Sequence, residues 1–133
     1  MKPAAKAGRR HIHSGSRWEE LAGYARAVVD GEWVFVSGTL GQVFASGEFP
    51  PSAELQCELA LDHIEQALAQ ADASLADVVR VRVYVPDRDD VVPVSQALRR
   101  RLGPHRPTNT TLCCPLAVAE ARVELEVTAL CRR

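Results

Sequence analysis

The chain of 133 residues contains no long apolar run and no marked excess of charge of either sign. No stretch approaches the roughly 20 apolar residues that a membrane-spanning helix needs. Sixteen Lys and Arg against 17 Asp and Glu leave a net charge of −1, which gives no general attraction to nucleic acid or to an anionic membrane. Residues 1–16 are basic and polar and lack the apolar segment of a secretory signal. We therefore expect a cytoplasmic protein that binds neither nucleic acid nor membranes.

Motifs for metals and cofactors are also scarce. There is no glycine-rich phosphate loop, and the cysteines show neither a Cys-x-x-Cys pair nor a histidine at zinc-ligand spacing. These cysteines are Cys57, Cys113, Cys114 and Cys131. His11 and His13 could clasp a metal, but no third ligand lies close in the sequence, and a solvated tail is the simpler interpretation. We expect no metal, no cofactor and cysteines that act as small buried apolar side chains.

The composition is that of one ordinary globular domain, with 47% hydrophobic and 25% charged residues. Residues 1–17 show no hydrophobic periodicity, so we expect a flexible arm there and a single domain over 18–133. Within the domain, apolar residues alternate in some segments and recur at helical spacing in others. The predicted elements are strands over 25–29 and 32–39, a helix over 53–71, a strand over 78–85, a helix that stops at Gly103, and strands over 108–114 and 122–130. This order predicts an α+β fold in which two helices cover one face of a mostly antiparallel sheet.

The uncovered face of this sheet is predicted to be polar. Strand 78–85 alternates strictly, which places its apolar residues on the helix side. Those apolar residues are Val79, Val81, Val83 and Val85. The opposite face would carry Arg80, Arg82, Tyr84, Arg122, Glu124 and Glu126. Such a face is either solvated or packed against another subunit with its charges paired, and composition alone does not choose between the two.

Five blocks of the sequence resemble the RidA/YjgF family of reactive intermediate deaminases, which is also described as the L-PSP endoribonuclease family. The blocks are Gly-Tyr-Ala-Arg-Ala-Val over 23–28, Val-Phe-Val-Ser-Gly-Thr over 34–39, Asp-Val-Val-Arg-Val-Arg-Val-Tyr-Val over 77–85, Arg-Pro-Thr-Asn-Thr-Thr over 106–111 and Val-Glu-Leu-Glu-Val-Thr-Ala over 123–129. The resemblance extends from about residue 22 to the C-terminus. It implies a chorismate-mutase-like fold, a homotrimer, and a small-molecule cleft at each subunit interface, with the polar sheet face turned toward the trimer.

The resemblance also implies a chemistry and a set of site residues. The best-studied branch of the family hydrolyses imines and enamines such as 2-aminoacrylate, releasing ammonia and a keto acid. By this resemblance Glu124 is the catalytic residue that orients water. The substrate-binding residues would be Tyr24, Ser37, Gly38, Tyr84, Asn109 and Thr111. We expect Asn109 to lie beside Ser37 and Gly38 and near Glu124, with a neighbouring subunit closing the pocket.

One position departs from the family pattern. Asn109 occupies the place of the arginine that grips the substrate carboxylate, and Thr111 the place of a common cysteine. Asparagine offers neutral hydrogen bonds only, whereas a charge-assisted contact contributes about 1.5–3 kcal/mol. Arg26 and Arg106 are the alternative anion contacts. The resemblance is therefore to a branch that lacks the carboxylate-binding arginine.

Two classes of function remain open at this stage. The first is a hydrolase of an imine, an enamine or a related small carbonyl compound that is a poor 2-aminoacrylate deaminase. The second is a non-catalytic trimer that binds small ligands or acts like a chaperone. Ribonuclease or translation-inhibitor activity is disfavoured, because the chain has near-neutral charge and no basic stripe with interleaved aromatic residues.

Overall fold

The computed structural model describes residues 8–132, which form a six-stranded sheet with two long helices on one face. The elements are β1 (Arg9–Ile12), α1 (Arg17–Ala22), β2 (Ala27–Asp30), β3 (Trp33–Leu40), α2 (Ala53–Gln70), β4 (Val78–Val85), α3 (Val91–Leu102), β5 (Thr108–Cys113) and β6 (Glu124–Leu130). The strand order is β1-β2-β3-β6-β4-β5, and every pairing is antiparallel except that of β4 with β5. The predicted α+β architecture is confirmed.

The two long helices form where capping and apolar spacing agree. The side chain of Ser52 caps α2 by accepting a hydrogen bond from the Leu55 amide at 3.1 Å. The buried face of α2 then packs with α3 against the valines of β4 and β6. The largest fully buried side chains include Leu61, Ile64, Leu68, Val81, Val83, Val94, Leu125 and Val127. No helix among residues 8–132 is both long and apolar enough to cross a membrane.

The N-terminal segment is more ordered than the sequence predicts. β1 pairs with β2 along its full length, and Ile12 is buried in the core. A short helix follows, capped by Ser16 and ended by Gly23 in the left-handed conformation that glycine favours, with φ of 73°. The expected flexible arm over 1–17 is therefore wrong from residue 9 onward, because a four-residue edge strand is too short to show periodicity. Residues 1–7 lie outside the described part of the chain.

Two irregularities of the sheet change which side chains face the helices. The register of β4 against β6 shifts between Val78 and Arg80, so that Val78 is buried and Val79 is 39% exposed on the other face. The prediction that Val79 faces the core was wrong, because a bulge inserts a residue and inverts the alternation locally. A second shift interrupts β3 between Val36 and Thr39. It is this second bulge that shapes the candidate site.

The face of the sheet away from the helices combines charged and apolar residues. Tyr84 donates a hydrogen bond to Glu126 at 2.9 Å, and Arg82 lies 3.7 Å from the same carboxylate. Beside them Trp33 and Phe35 stack at 6.2 Å and remain nearly half exposed. We refer to the exposed side chains of Trp33, Phe35, Val79 and Leu112, with the charged pairs between them, as the open face.

Two further expectations are corrected here. Arg122 does not lie on the open face, because its guanidinium makes two hydrogen bonds to Asp90, at 2.8 and 3.0 Å, on the helix side. The cysteines are free, but only Cys57 is fully buried, and Cys113 is exposed at the end of the edge strand β5. Burial raises the pKa of the Cys57 thiol to about 12, so this thiol is unreactive near neutral pH.

Candidate active site

A cleft of about 150 Å³ lies where α1, β3, the loop after β3 and the start of β6 meet. Its walls are mainly aromatic and aliphatic. They include Trp18, Tyr24, Leu40, Phe44 and Val118, and Gly38 and Glu124 line the cleft with them. Past Trp18, Phe44 and Val118 the cleft continues into an open groove along the loop. A concave apolar site with few convergent polar groups is the usual form of a small-molecule site.

Glu124 is the acidic group of this cleft. As the first residue of β6 it pairs with Leu40 on one side and Tyr84 on the other, which fixes its backbone within the sheet. Burial raises the pKa of its carboxyl above the usual 4.5, the charge of Arg26 opposes this shift, and that of Glu126 adds to it. A carboxyl whose pKa is raised by burial holds its proton at higher pH than an exposed one, which suits a group that gives and takes a proton in general acid–base catalysis.

Gly38 is the floor against which this carboxyl rests. A Cβ atom at position 38 would lie 2.9 Å from Glu124 Oε2, closer than real Cβ contacts, and 3.1 Å from its Cδ, which is tighter than most of them. Any side chain there would push the carboxyl out of its place. The β3 bulge, rather than a turn, creates the need for glycine at this position.

A buried ion pair beneath the cleft holds that bulge. Arg26 donates to Glu19 at 3.2 Å, to the Gly38 carbonyl at 2.8 Å and to Thr39 Oγ1 at 3.0 Å. Burial alone would raise the pKa of Glu19, but hydrogen bonds from Ser14 and the charge of Arg26 outweigh it and hold this pKa below its usual value. The Arg26 guanidinium is thus occupied internally. It is not the exposed anion contact that the sequence suggested.

The aromatic walls are held in place by neighbouring side chains. Phe44 stacks on His63 at 3.9 Å, and His63 Nε2 donates to the Gln42 carbonyl at 2.7 Å. Burial lowers the pKa of His63, so its ring is neutral near pH 7. The guanidinium of Arg17 covers the Trp18 ring at 4.6 Å. The ring positions are therefore set before any ligand enters.

Trp18 carries an unsatisfied donor. Its indole Nε1 is buried and has no hydrogen-bond acceptor within residues 8–132. A buried N–H without a partner costs about 1–3 kcal/mol.

The structure separates the other predicted site residues into two groups. Ser37 and Tyr84 lie beside the cleft, but Ser37 donates to the Ala25 carbonyl at 2.7 Å, and Tyr84 turns to Glu126 on the open face. That hydrogen bond raises the pKa of the Tyr84 phenol. Neither side chain points at Glu124 as a substrate contact would.

Asn109, Thr111 and Arg106 are remote from Glu124 within one chain. They belong to the edge strand β5 and the turn before it, and β4 separates β5 from β6. Asn109 pairs with Val81 on the helix side, and its Oδ1 accepts a 2.8 Å hydrogen bond from Thr111. With Arg106 it lines a separate pocket of about 260 Å³ against α3. The expectation that one chain brings Asn109 close to Ser37, Gly38 and Glu124 was wrong.

Sequence reasoning missed Trp18 and Phe44. Trp18 directly follows the segment 1–17 that was expected to be a flexible arm, and Phe44 lies in a loop rich in glycine and proline. The available signal was the presence of large aromatic residues in segments where they have no core to fill. Loop residues positioned by a rigid scaffold often carry function.

Residues 8–132 form an α+β domain with an aromatic-walled cleft that contains the carboxyl of Glu124. A family model described as Endoribonuclease L-PSP matches residues 15–131. The chain belongs to this family, the RidA/YjgF family. Within the described residues no group of three or more His, Cys, Asp or Glu side chains could hold a metal ion.

Similar proteins agree with this assignment. A crystal structure of a YjgF/YER057c/UK114 family member from Mycobacterium tuberculosis is 36% identical, with a TM-score of 0.84 over 92% of this chain and 98% of that chain. Escherichia coli TdcF, named as a candidate reactive intermediate deaminase, is 26% identical over 83% of this chain and 86% of that protein. RidA from an Antarctic Psychrobacter, at 23% identity and a TM-score of 0.82, covers 91% of this chain and 98% of that chain and shares the fold.

Proposed function

We propose that the protein is a homotrimeric hydrolase of a small imine or enamine, with Glu124 as its acid–base group. The observation that carries the proposal is the half-buried carboxyl of Glu124 in the lining of a mainly apolar cleft, against a glycine that leaves it room. The deaminase name of a relative that matches most of the chain supports the same chemistry.

The chemistry needs one group that gives and takes a proton. Protonated Glu124 donates its proton to the imine nitrogen, or to the carbon of an enamine, and an iminium forms. The carboxylate then accepts a proton from the water that attacks the iminium carbon. Glu124 next protonates the nitrogen of the carbinolamine, the C–N bond breaks, and the hydroxyl proton returns to the carboxylate. The products are a carbonyl compound and an amine or ammonia.

Two features support a trimer. The open face exposes stacked Trp33 and Phe35, a patch of the kind that marks an interaction surface. The edge strand β5 is exposed along nearly its whole length, so its polar groups are free to approach another subunit. In such a trimer the β5 edge of one subunit would meet the cleft of the next and supply Asn109 and Thr111 to it. A trimer mass by light scattering at micromolar concentration is the expected result.

A second function, ligand binding without turnover, is favoured by one observation. Asn109, where the resemblance implies a carboxylate-binding arginine, is hydrogen-bonded to Thr111 of its own strand. A trimer with a cleft but a weak anchor would bind small molecules and release them unchanged. The endoribonuclease description is not part of the proposal, because a net charge of −1 gives no general attraction to a phosphate backbone and Glu124 is the only charged side chain among the described residues that line the cleft. The free cysteines are compatible with the cytoplasm, which is the location we propose.

The test is amine release from imines generated in solution, followed for the wild type and Glu124→Gln. We expect the variant to lose about a hundredfold or more in rate, since general acid–base catalysis typically contributes factors of this size. Glu20→Gln, which removes an exposed carboxylate from α1, is the matched control and should match the wild type. Equal catalysed rates in Glu124→Gln and wild type would remove Glu124 as the acid–base group, and rates no faster than the uncatalysed reaction in both proteins would leave ligand binding as the function.

A further inference from the structure

We infer that Glu19 and Arg26 are positioning residues for Glu124. The buried pair holds the bulge of β3 against which the carboxyl rests, and its two opposed charges set how readily that carboxyl gives up its proton. Only the effect on hydrolysis depends on the proposed function, because the protonation of Glu124 can be measured without turnover.

Arg26 connects the buried pair to the carboxyl through β3. It is 3% exposed, and its guanidinium donates to the Gly38 carbonyl at 2.8 Å and to Thr39 Oγ1 at 3.0 Å. The Glu124 carboxyl packs on the same glycine, since a Cβ atom there would lie 2.9 Å from Oε2. Gly38 therefore lies against both the cation and the carboxyl.

Glu19 is the counter-charge and is bound from several directions. It is 5% exposed and accepts hydrogen bonds from Arg26 Nε at 3.2 Å, from the Ser14 amide at 3.1 Å and from the Ser14 hydroxyl. His13 Nδ1 lies 3.2 Å from its Oε1. Burial acts to raise the pKa of Glu19, but the Ser14 hydrogen bonds and the charge of Arg26 outweigh it and keep this pKa below its usual value. Both charges of the pair therefore persist where Glu124 titrates.

The two charges act on Glu124 in opposite senses. The cation of Arg26 stabilises the carboxylate form of Glu124, and the anion of Glu19 destabilises it. The guanidinium binds Gly38 directly, whereas Glu19 reaches β3 only through the guanidinium, so the cation has the larger effect. Burial raises the pKa of Glu124 and the charge of Arg26 opposes that shift. A buried carboxyl that is not locked in its acid form can both give and take a proton, as the proposed reaction requires.

Other ionisable groups surround Glu124 on the neighbouring elements. Glu126 of β6 accepts a hydrogen bond from Tyr84 at 2.9 Å and lies 3.7 Å from Arg82. Burial lowers the pKa of His63 on α2, which keeps its ring neutral near pH 7. The remaining charged groups of the elements around the cleft are Arg17 and Glu20 of α1, Glu48 of the loop after β3, and Glu120 and Arg122 of the segment before β6. These groups, and any that a neighbouring subunit brings, are the same in every variant below, so a difference between variants reports on the buried pair.

The first experiment titrates the Glu124 carboxyl by carbon-13 NMR, its signal being the one absent from Glu124→Gln. Glu19→Gln removes the anion but keeps the shape of the side chain, and it should move the titration midpoint to lower pH. The double variant Glu19→Gln with Arg26→Gln removes both charges and should move the midpoint to higher pH. Each shift should be about 0.3 pH unit or more, as expected for a charge acting across a partly hydrated site. Shifts of the same sign, or an unmoved midpoint in either variant, would overturn the inference.

The double variant also guards against loss of folding. Leaving one buried charge alone is costly, whereas replacing both partners by neutral groups can be nearly neutral for stability. The backbone of Arg26 donates to the Ile12 carbonyl at 2.8 Å and accepts from the Ser37 amide at 2.9 Å, and these bonds do not depend on its side chain. If Glu19→Gln does not fold, the rise of the midpoint in the double variant still decides. Glu20→Gln, at an exposed position of the same helix, is the matched control and should leave the midpoint unchanged.

Turnover separates this inference from the proposed function. In pH–rate profiles of imine hydrolysis, the falling limb should move with the NMR midpoints, to lower pH in Glu19→Gln and to higher pH in the double variant. A purely structural role would lower the rate at every pH and leave the limb in place. If the midpoints move but no imine is hydrolysed, the proposed hydrolase fails while the role of the pair stands. If imines are hydrolysed and neither the limb nor the midpoint moves, the hydrolase stands and the inference fails.

Discussion

Replacing Gly38 by alanine should impair the site without unfolding the protein. The added Cβ would lie 2.9 Å from Glu124 Oε2, whereas an ordinary contact is 3.4 Å or more, so the carboxyl has to withdraw by about half an ångström. The carboxyl is the far end of a flexible side chain, and φ of Gly38 is not in the left-handed region. The cost in free energy of unfolding should therefore stay below about 1 kcal/mol, or about 4 °C in melting temperature.

The same small displacement should be expensive for catalysis. Misplacing a catalytic group by about 1 Å can lower a rate about a hundredfold, so we expect Gly38→Ala to reduce imine hydrolysis by about ten- to a hundredfold. Thermal melting by circular dichroism and the amine-release assay measure the two effects on one sample.

Two other glycines provide the controls. At Gly103 an added Cβ meets only the Arg99 side chain, at 3.3 Å, so Gly103→Ala should change neither stability nor rate appreciably. At Gly41 it would lie 2.0 Å from the backbone oxygen of Gln56, and Gly41→Ala should lose about 3 kcal/mol or more, because backbone must move. A Gly38→Ala variant with full activity would refute the reasoning that the carboxyl position matters.

Three further outcomes follow from the structure. Arg26→Gln should lower the free energy of unfolding, measured by chemical denaturation, by about 3–5 kcal/mol, because it leaves Glu19 buried without its partner. Arg9→Gln, which breaks an exposed ion pair, should lower it by less than about 1 kcal/mol. Similar losses in the two variants would contradict the account of the bulge. If β5 of one subunit meets the cleft of the next, Asn109→Arg should raise the affinity for pyruvate, measured by calorimetry, about tenfold. An unchanged affinity would show that β5 does not reach the cleft. Phe35→Glu should convert the trimer to monomers in light scattering, and an unchanged mass would remove the open face as the interface.

The sequence predicts the elements of this fold well, because strands and helices of ordinary length carry clear periodicity. The predicted bounds of strand 78–85 and helix 53–71 agree with those of β4 and α2 to within one residue. The errors arose where geometry departs from simple alternation. The bulge at Val78 exchanged the faces of two valines, and β1 is too short for any pattern.

The candidate site was harder to predict, because it depends on strand order. Glu124, Tyr24 and Gly38 do meet in one cleft. Asn109 does not, since the parallel pairing of β4 with β5 carries it to the far edge of the sheet, and alternation along a strand does not reveal which strands are neighbours. Phe44 was missed for a related reason, since its position depends on a stacking partner on α2.

The most direct test of the central claim is the pH dependence of imine hydrolysis, corrected for the uncatalysed rate. The raised pKa of Glu124 means that the acid form, which donates the first proton, persists above pH 4.5. The enzymatic rate should be highest below that raised pKa and fall as pH increases through it, and Glu124→Gln should lack this limb. A wild-type rate that is independent of pH across this range, or a variant with the same profile, would contradict the assignment of Glu124 as the acid–base group.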